Sequence, residues 1–288
     1  DVVVVDELSM VSMTLMARLL GALKPSARLV LVGDPDQLAS VEAGAVLADL
    51  TASEALRPAV VRLRRNYRFA GAIAELAQAI RDGDADAALE VLGRGRGTDG
   101  TAAVRLLSAQ DAVGDLRERS VTAGRRLFAA ASAGDAATAL SALDEHRLLC
   151  AHRRGPYGVQ PWSRTVTAWL ADDVEGFSAD SEFYVGRPLL MTSNAADLGL
   201  FNGDTGVVVR TDGEQLRAFF ARGRELHSVS PFLLDGVQTI HAMTVHKAQG
   251  SQWDDVYLFD ESFVFREDRQ RWLYTAVTRA SEKITVVM

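Results

Sequence analysis

Residues 1–8 read DVVVVDEL, a β-branched run that is followed at once by two carboxylates. An apolar run without alternation is typical of a parallel strand that is buried on both faces. Residues 29–32 repeat this pattern and lead into GDPDQL at 33–38, while residues 13–23 carry apolar positions at helical spacing. A strand, a helix and a second strand in this order predict an α/β domain with a parallel sheet.

The α/β alternation continues along the chain and is interrupted once. Helices are predicted at residues 45–50, 73–80, 109–143, 159–170 and 269–279, and strands at 104–107, 147–151, 256–259 and 284–287. From about residue 182 the pattern changes to short strands separated by turn residues, at 187–192, 206–210, 216–220 and 232–234. This spacing predicts a small antiparallel barrel or sheet that is inserted into the α/β domain.

Composition excludes several classes of protein. With 48% hydrophobic and 24% charged residues over 288 positions, the chain is typical of a soluble globular protein. No apolar stretch approaches the roughly 20 residues that cross a bilayer, and no secretory signal is visible. The single cysteine, Cys150, excludes an internal disulfide framework and a cysteine-based zinc site, so a cytoplasmic location is expected.

The net charge of −7 argues against a protein that is coated in positive charge. It leaves room for a nucleic-acid partner, because only the face that contacts phosphates needs a basic stripe. The first residue is Asp1 rather than methionine, and it opens directly on a buried-strand pattern. Since a buried strand needs neighbours on both faces, we expect a fragment whose N-terminal part is absent.

Polar residues that suit nucleotide chemistry follow both early strands. Asp6 can hold Mg²⁺ directly or through water, and Glu7 can orient or deprotonate an attacking water. Gln37 can hydrogen-bond a terminal phosphate or the attacking water. Each motif alone is also explained by a solvated strand end or a plain Asp-Pro turn. Together, two acidic strand ends favour a nucleotide-hydrolysing sheet, because ligands bind at the carboxyl ends of parallel strands.

Five segments, in order, resemble the motifs of superfamily 1 helicases. They are residues 2–12 (motif II, or Walker B), 31–44 (motif III), 63–69 (motif IV), 244–254 (motif V) and 273–280 (motif VI). The segments at 149–159 and 200–206 further resemble the RecD-like members of that superfamily. The resemblance implies two RecA-like P-loop NTPase domains with parallel sheets, the first truncated, and a small SH3-like β insertion. The implied boundaries are 1–57 for the first domain, 58–185 with 238–288 for the second, and 186–237 for the insertion.

The resemblance also implies residue roles around ATP and Mg²⁺. Asp6 matches the carboxylate that holds Mg²⁺, and Glu7 matches the catalytic acid. Gln37 matches the residue that senses the γ-phosphate, and Tyr67 matches an aromatic side chain that stacks on adenine.

Arg68 and Arg279 match the two arginines that reach the γ-phosphate in the family. Bidentate donors at that point stabilise the charge that a loose phosphoryl-transfer transition state spreads over its equatorial oxygens. The alternative for each arginine is a surface ion pair.

Motif V carries the groups that are expected to meet single-stranded DNA. The implied donors to phosphate oxygens are Thr244, His246, Lys247 and Gln249. Gly250 lets the backbone approach closely, whereas Gln252 stands where the family has glutamate, which puts its contact to the ribose in doubt. Phosphate contacts position a strand without reading its sequence, as a translocating motor requires.

Three tryptophans and the β insertion leave alternatives open. Trp162, Trp169 and Trp253 either stack on bases or pack in the core, and packing is the commoner role of large aromatics. The insertion either guides single-stranded DNA or serves only as a packing module.

The resemblance implies the C-terminal motor portion of an ATP-dependent 5′-to-3′ DNA helicase. In the RecD-like family this motor joins RecB and RecC in the exonuclease V complex, which acts on DNA ends in double-strand break repair and recombination. A stand-alone RecD-like helicase, or the helicase half of a conjugative relaxase, fits the same motifs. A non-catalytic DNA-binding module is a further alternative, and the intact set of nucleotide-site residues argues against it.

No Gly-x-x-x-x-Gly-Lys-Ser/Thr motif occurs in these 288 residues, so nothing in them is expected to cradle the β- and γ-phosphates. We therefore predict that the 288-residue chain alone does not hydrolyse ATP at a useful rate, with or without single-stranded DNA. A coupled ATPase assay checks this. DNA-stimulated hydrolysis that Glu7→Gln abolishes would contradict the prediction.

Overall fold

A computed structural model describes residues 1–39, 46–63, 69–96, 101–223, 225–259 and 266–288. The chain forms two compact units. The first unit contains Asp1–Val91 and Phe263–Thr278, and the second contains Leu92–Ser262 and Arg279–Met288. Within the described residues, no helix is both long enough and apolar enough to span a bilayer.

The α-helices and strands of the described residues follow one another along the chain in this order. They are β1 (Val2–Val5), α1 (Met13–Ala22), β2 (Arg28–Leu31), α2 (Val46–Ala52), α3 (Gly71–Asp82), α4 (Ala85–Arg94), β3 (Val104–Leu107), α5 (Ala109–Ser132), α6 (Ala136–Leu143), β4 (His146–Cys150), α7 (Val159–Asp173), β5 (Pro188–Met191), β6 (Thr205–Arg210), β7 (Leu216–Arg222), β8 (Glu225–Val229), β9 (Val237–Thr239), β10 (Ala242–Thr244), β11 (Trp253–Phe259), α8 (Arg266–Val277) and β12 (Ala280–Val287). The predicted alternation of helices and strands is confirmed, with most boundaries within a few residues.

In the first unit, β1 and β2 form a parallel pair, as the sequence predicts. The prediction that β1 is buried on both faces is wrong, because Val2 and Val4 are 64% and 62% exposed. Among the described residues this sheet has only two strands. One face packs on a small core around Leu8 and Met16, and the other face has no cover from the described residues.

Helix α8 belongs to the first unit and packs against α3. The side-chain amide of Gln270 ties the two helices, since its Nε2 donates to the carbonyl oxygens of Ile80 at 2.8 Å and Arg81 at 2.9 Å. These carbonyls lie in the last turn of α3, where helix geometry leaves carbonyl oxygens available to further donors, and that of Ile80 also accepts from the N–H of Gly83 at 3.1 Å.

The second unit is built on a five-stranded sheet with the order β10-β4-β11-β12-β3, in which all described pairs are parallel. Its middle strands are fully buried at Leu148, Leu149 and Val256, as expected for a parallel sheet that helices cover on both faces. The predicted parallel α/β fold is therefore confirmed.

The inserted region forms a separate antiparallel sheet with the order β8-β7-β6-β5-β9, which confirms the predicted antiparallel insertion. Strands β8 and β9 were not predicted from the sequence, and the strand predicted at 232–234 is wrong. Residues Pro231–Leu233 form a 3₁₀ helix, with Phe232 78% exposed. The reason is Pro231, which fixes its own φ and has no N–H for a strand ladder.

The tryptophans pack in the core. Trp162, Trp169 and Trp253 are all buried. The ring of Trp162 lies 4.7 Å from that of Phe259 and 6.1 Å from that of Trp169. Of the two alternatives for these side chains, packing is the one that the fold favours.

We predict that Trp162→Ala lowers the free energy of unfolding by about 3–5 kcal/mol, because it leaves a cavity beside β11. Urea unfolding followed by circular dichroism measures this loss. Trp162→Phe is the matched control and should lose less, since it keeps an aromatic ring. Unchanged stability together with weaker DNA binding would support the base-stacking alternative instead.

Candidate functional site

The acidic strand ends of the first unit meet at one edge of the β1–β2 pair. Val5 pairs with Leu31, and its carbonyl oxygen accepts a hydrogen bond from the N–H of Val32 at 2.8 Å. The N–H of Leu8 in turn donates to the carbonyl of Val32 at 3.0 Å. The segments that carry Asp6–Glu7 and 33–38 therefore leave the sheet side by side, as the sequence predicts.

Asp6 is exposed, and its Oδ1 accepts a hydrogen bond from the N–H of Glu7 at 2.8 Å. Glu7 has φ 52° and ψ 43°, which is the left-handed region. It is the only residue other than glycine with a positive φ in the part of the chain that the structure describes. Such strain costs free energy and concentrates at functional sites, because the surrounding structure must enforce it.

Gln37 is 8% exposed and is oriented by Asp34. Its Nε2 donates to Asp34 Oδ2 at 3.3 Å, while Asp34 Oδ1 accepts from the N–H of Asp36 at 3.0 Å. The other end of the amide, Gln37 Oε1, is buried and has no hydrogen-bond partner among the described residues. Burial, followed by the charge of Asp34, raises the pKa of Asp36.

Two residues of α8, which the sequence analysis did not single out, contact this loop. The hydroxyl of Tyr274 donates to Asp34 Oδ2 at 2.9 Å, and Thr275 Oγ1 accepts from the N–H of Leu38 at 2.8 Å. Both side chains are buried. Their position in motif VI, beside the candidate Arg279, was the available signal, but nothing in the sequence pairs them with the loop.

Tyr67 and Arg68 lie outside the described residues. Arg279 is 1% exposed, so the alternative of a surface ion pair is wrong for this residue. Its Nη1 donates to the carbonyl of Ser251 at 3.1 Å, and its own carbonyl accepts from the N–H of Trp253 at 2.9 Å. Arg279 thus binds the backbone of motif V within the second unit.

Motif V follows β10 directly. Thr244 pairs with Cys150 in the parallel register, so the loop after β10 and the loop after β4 leave the sheet at the same edge. We call these two loops, residues 245–250 and 151–158, the basic loop pair. Thr244 caps the 3₁₀ helix Val245–Ala248 by accepting from the N–H of Lys247 at 3.4 Å. His246 is exposed, and Gln249 is partly exposed.

Lys247 is the lysine of motif V. Its Nζ donates to Oε1 of Gln238 at 3.0 Å. Burial, followed by the charge of Arg153, lowers the pKa of Lys247. Arg153 and Arg154 are exposed, and neither forms an ion pair with the described residues.

Arg153 and Arg154 were not among the DNA ligands predicted from the sequence. The signal was present, because they follow a parallel strand, and the carboxyl ends of parallel strands share one edge. The loop that carries them folds back on α7, where the carbonyls of His152 and Arg153 accept from the N–H groups of Val159 and Gln160 at 3.0 and 3.1 Å.

Two further residues of motif V have local explanations. Gly250 adopts φ +78°, a conformation that favours glycine, and a Cβ there would meet nothing within 4 Å. Gln252 is partly buried, and its Nε2 has no hydrogen-bond partner in the described part of the chain. An unpaired buried donor suits a hydroxyl or carbonyl acceptor on a ligand.

A divalent cation would need ligands beyond those that the protein clusters here. The described residues contain no group of three or more His, Cys, Asp or Glu side chains that could hold a metal ion. The exposed carboxylate of Asp6 fits Mg²⁺, which usually binds through one or two carboxylates together with waters and substrate phosphates.

Comparison with known proteins shows similarity to helicases. Residues 1–100 match the family model described as an AAA domain, and residues 239–287 match that of the UvrD-like helicase C-terminal domain. A Pif1 helicase from Bacteroides, solved with ADP-AlF3 and single-stranded DNA, superposes with a TM-score of 0.53 at 15% identity. That alignment covers 98% of this chain and 69% of the Pif1 chain. The chain therefore shares its fold with the matched part of that Pif1 helicase.

The sequence relatives are more specific. The RecBCD enzyme subunit RecD of Mycolicibacterium smegmatis is 52% identical over 294 residues, which cover 100% of this chain and 50% of that protein. The ATP-dependent RecD2 DNA helicase of Deinococcus radiodurans is 30% identical over 98% of this chain and 36% of its own length. The chain spans about half the length of the RecD subunits it matches. Its resemblance to RecD-like superfamily 1 helicases is confirmed.

We predict that Glu7→Gly leaves the free energy of unfolding unchanged or raises it by up to about 1 kcal/mol, because glycine relieves the left-handed strain. Chemical denaturation of both proteins measures this difference. Glu54→Gly, in a 3₁₀ helix without positive φ, is the control and should lose about 0.5–1 kcal/mol. A loss of similar size from Glu7→Gly would mean that the residue is not strained.

Proposed function

We propose that this chain forms the motor portion of an ATP-dependent 5′-to-3′ DNA helicase of the RecD type. Similarity to about half of each RecD subunit, over the whole of this chain, supports the class of protein. The observation that carries the DNA-binding part is the basic loop pair, because the pairing of Thr244 with Cys150 brings the loops that carry Lys247 and Arg153 to the same edge of the parallel sheet. On a chain with a net charge of −7, a concentration of cations at this edge favours a polyanionic ligand.

In the nucleotide chemistry, Asp6 would hold Mg²⁺, which supplies charge neutralisation for the phosphate oxygens of ATP. Glu7 would orient the attacking water and accept its proton. Gln37 would contact the reacting end of the nucleotide, Tyr67 would stack on adenine, and Gln252 would contact the ribose beside Gly250. The buried, unpaired Oε1 of Gln37 and Nε2 of Gln252 support these contacts, because buried polar atoms rarely remain without partners.

The two arginines would act on the transferring phosphoryl group. Arg68 and Arg279 would stabilise the charge on the transferring phosphoryl group. Because the guanidinium of Arg279 is bonded to the carbonyl of Ser251, a role at the phosphate requires that this bond is exchanged for one to the nucleotide.

On the DNA side, the proposed phosphate contacts come from the basic loop pair. Thr244, His246, Lys247 and Gln249 supply them from motif V, and Arg153 adds a contact from the neighbouring loop. These groups donate to phosphate oxygens, which are the same at every nucleotide, so binding should not depend on sequence.

The proposed assembly and organisation follow the relatives. Two mycobacterial relatives are named as RecD subunits of the RecBCD enzyme, so RecB and RecC are the proposed partners, and DNA ends in break repair and recombination are the proposed substrate. The division into a first RecA-like domain (1–57), a second (58–185 with 238–288) and an SH3-like insertion (186–237) stays a proposal.

We predict that Lys247→Ala weakens binding of the chain to single-stranded DNA to a similar degree for every sequence. It should also reduce the salt slope of the binding constant by about 0.7–1, because one phosphate contact is lost. Fluorescence anisotropy with oligonucleotides of equal length and different sequence, titrated with salt, measures both quantities.

Lys247→Arg is the matched control, because it keeps the positive charge and should keep the salt slope. It should also remove a pH effect. In the wild-type chain, Lys247 has a lowered pKa and loses its charge earlier than an ordinary lysine as the pH rises, so DNA binding should weaken in that range. An unchanged salt slope in Lys247→Ala, or weakening for one sequence alone, would refute the proposed phosphate track.

A further inference from the structure

The orientation of the Gln37 amide decides what the residue can do for a ligand. Its Nε2 is committed to the carboxylate of Asp34 at 3.3 Å. The reverse orientation would set Oε1 against a carboxylate oxygen and leave the amide nitrogen without its acceptor. The free end of the side chain is therefore an acceptor, Oε1, which has no partner among the described residues.

A residue of α8 also holds the side chain of Asp34 in place. The hydroxyl of Tyr274 donates to the same carboxylate oxygen, Oδ2, at 2.9 Å. Burial, followed by the charge of Asp34, raises the pKa of Tyr274, so this hydroxyl stays protonated and remains a donor. The remaining oxygen, Oδ1, accepts from the N–H of Asp36, which leaves the carboxylate little freedom to rotate.

The backbone beside Gln37 is fixed by the next residue of the same helix. Thr275 Oγ1 accepts from the N–H of Leu38 at 2.8 Å, and both residues are buried. Consecutive residues of α8 therefore hold the loop at two points, one through Asp34 and one through the main chain. All of these residues belong to the first unit.

Resting on the proposed function, we propose that Tyr274 and Thr275 are positioning residues that orient Gln37 as a hydrogen-bond acceptor. We call Asp34, Tyr274 and Thr275 the Gln37 clamp. An acceptor oxygen can receive a hydrogen bond from the attacking water, whose proton goes to Glu7, but it cannot donate to a γ-phosphate oxygen. The clamp therefore favours a role for Gln37 in orienting the attacking water, rather than in contacting the phosphate directly. A water that donates to Oε1 keeps a lone pair free for in-line attack.

The first test uses the 288-residue chain itself. Thr275→Val removes the acceptor for Leu38, so hydrogen exchange at the Leu38 amide, measured by NMR, should be faster by about tenfold or more. Thr275→Ser keeps the hydroxyl and should restore slow exchange. Tyr274→Phe should shift the side-chain amide signals of Gln37, because Asp34 loses a donor.

Gln270→Ala is the matched control on the same helix. It breaks the tie between α8 and α3 but touches neither Asp34 nor Leu38, so both NMR signatures should persist. If Thr275→Val leaves the exchange of Leu38 unchanged, or if Gln270→Ala accelerates it equally, the clamp is refuted.

The second test measures catalysis in a chimera, in which these 288 residues replace the matched part of the Mycolicibacterium smegmatis relative. Tyr274→Phe and Thr275→Val should each lower kcat for DNA-stimulated ATP hydrolysis by about tenfold to 10², with KM nearly unchanged. In a Gln37→Ala background the same substitutions should cost nothing further, because the residue they position is gone. Thr275→Ser should recover most of kcat.

The outcomes separate the two proposals. A wild-type chimera without ATPase activity would overturn the proposed function, and the clamp would then be decided by the exchange of Leu38. An active chimera in which the two substitutions raise KM instead of lowering kcat, or add their full cost to Gln37→Ala, would refute the positioning role alone.

Discussion

Parallel strand pairing is the constraint on which the candidate sites depend. In a parallel pair the chain leaves both strands at the same edge, so segments far apart in sequence emerge side by side. Val5 pairs with Leu31 in the first unit, which brings the loop of Asp6 and Glu7 beside the loop of Gln37. Thr244 pairs with Cys150 in the second unit, which forms the basic loop pair in the same way. The chemistry sits on loops, whereas the strands decide which loops are neighbours.

Charged residues are arranged differently at the two ends of the strands in the parallel sheet of the second unit. At the start of β4 and β11, Asp255 accepts hydrogen bonds from Arg119 at 2.9 Å and from His146 at 3.2 Å. Burial by itself would raise the pKa of Asp255, but these two partners outweigh it, and the pKa is lowered. At the opposite edge, the loops that carry Arg153 and Lys247 leave the sheet side by side, and burial, followed by the charge of Arg153, lowers the pKa of Lys247. The charges at the first edge are therefore paired within the protein, whereas cations without an ion pair at the opposite edge suit an external anion.

The first unit shows how buried polar groups create specificity over long sequence separations. A partly buried carboxylate and a buried backbone N–H each need a partner, since an unsatisfied polar group is costly in a low-dielectric interior. Helix α8 supplies both partners, through Tyr274 to Asp34 and through Thr275 to Leu38. Strain at Glu7 is a second cost that the same region carries.

The sequence by itself determined the α/β alternation, the parallel strands, the antiparallel insertion and the motif residues, because apolar periodicity and turn residues are local signals. It did not determine that Val2 and Val4 lie exposed, since burial depends on how many strands and helices cover a sheet. Nor did it predict that Arg279 is buried against Ser251 or that Thr275 bonds the N–H of Leu38. Those contacts join residues that are 28 and 237 positions apart, so only the tertiary fold could decide them.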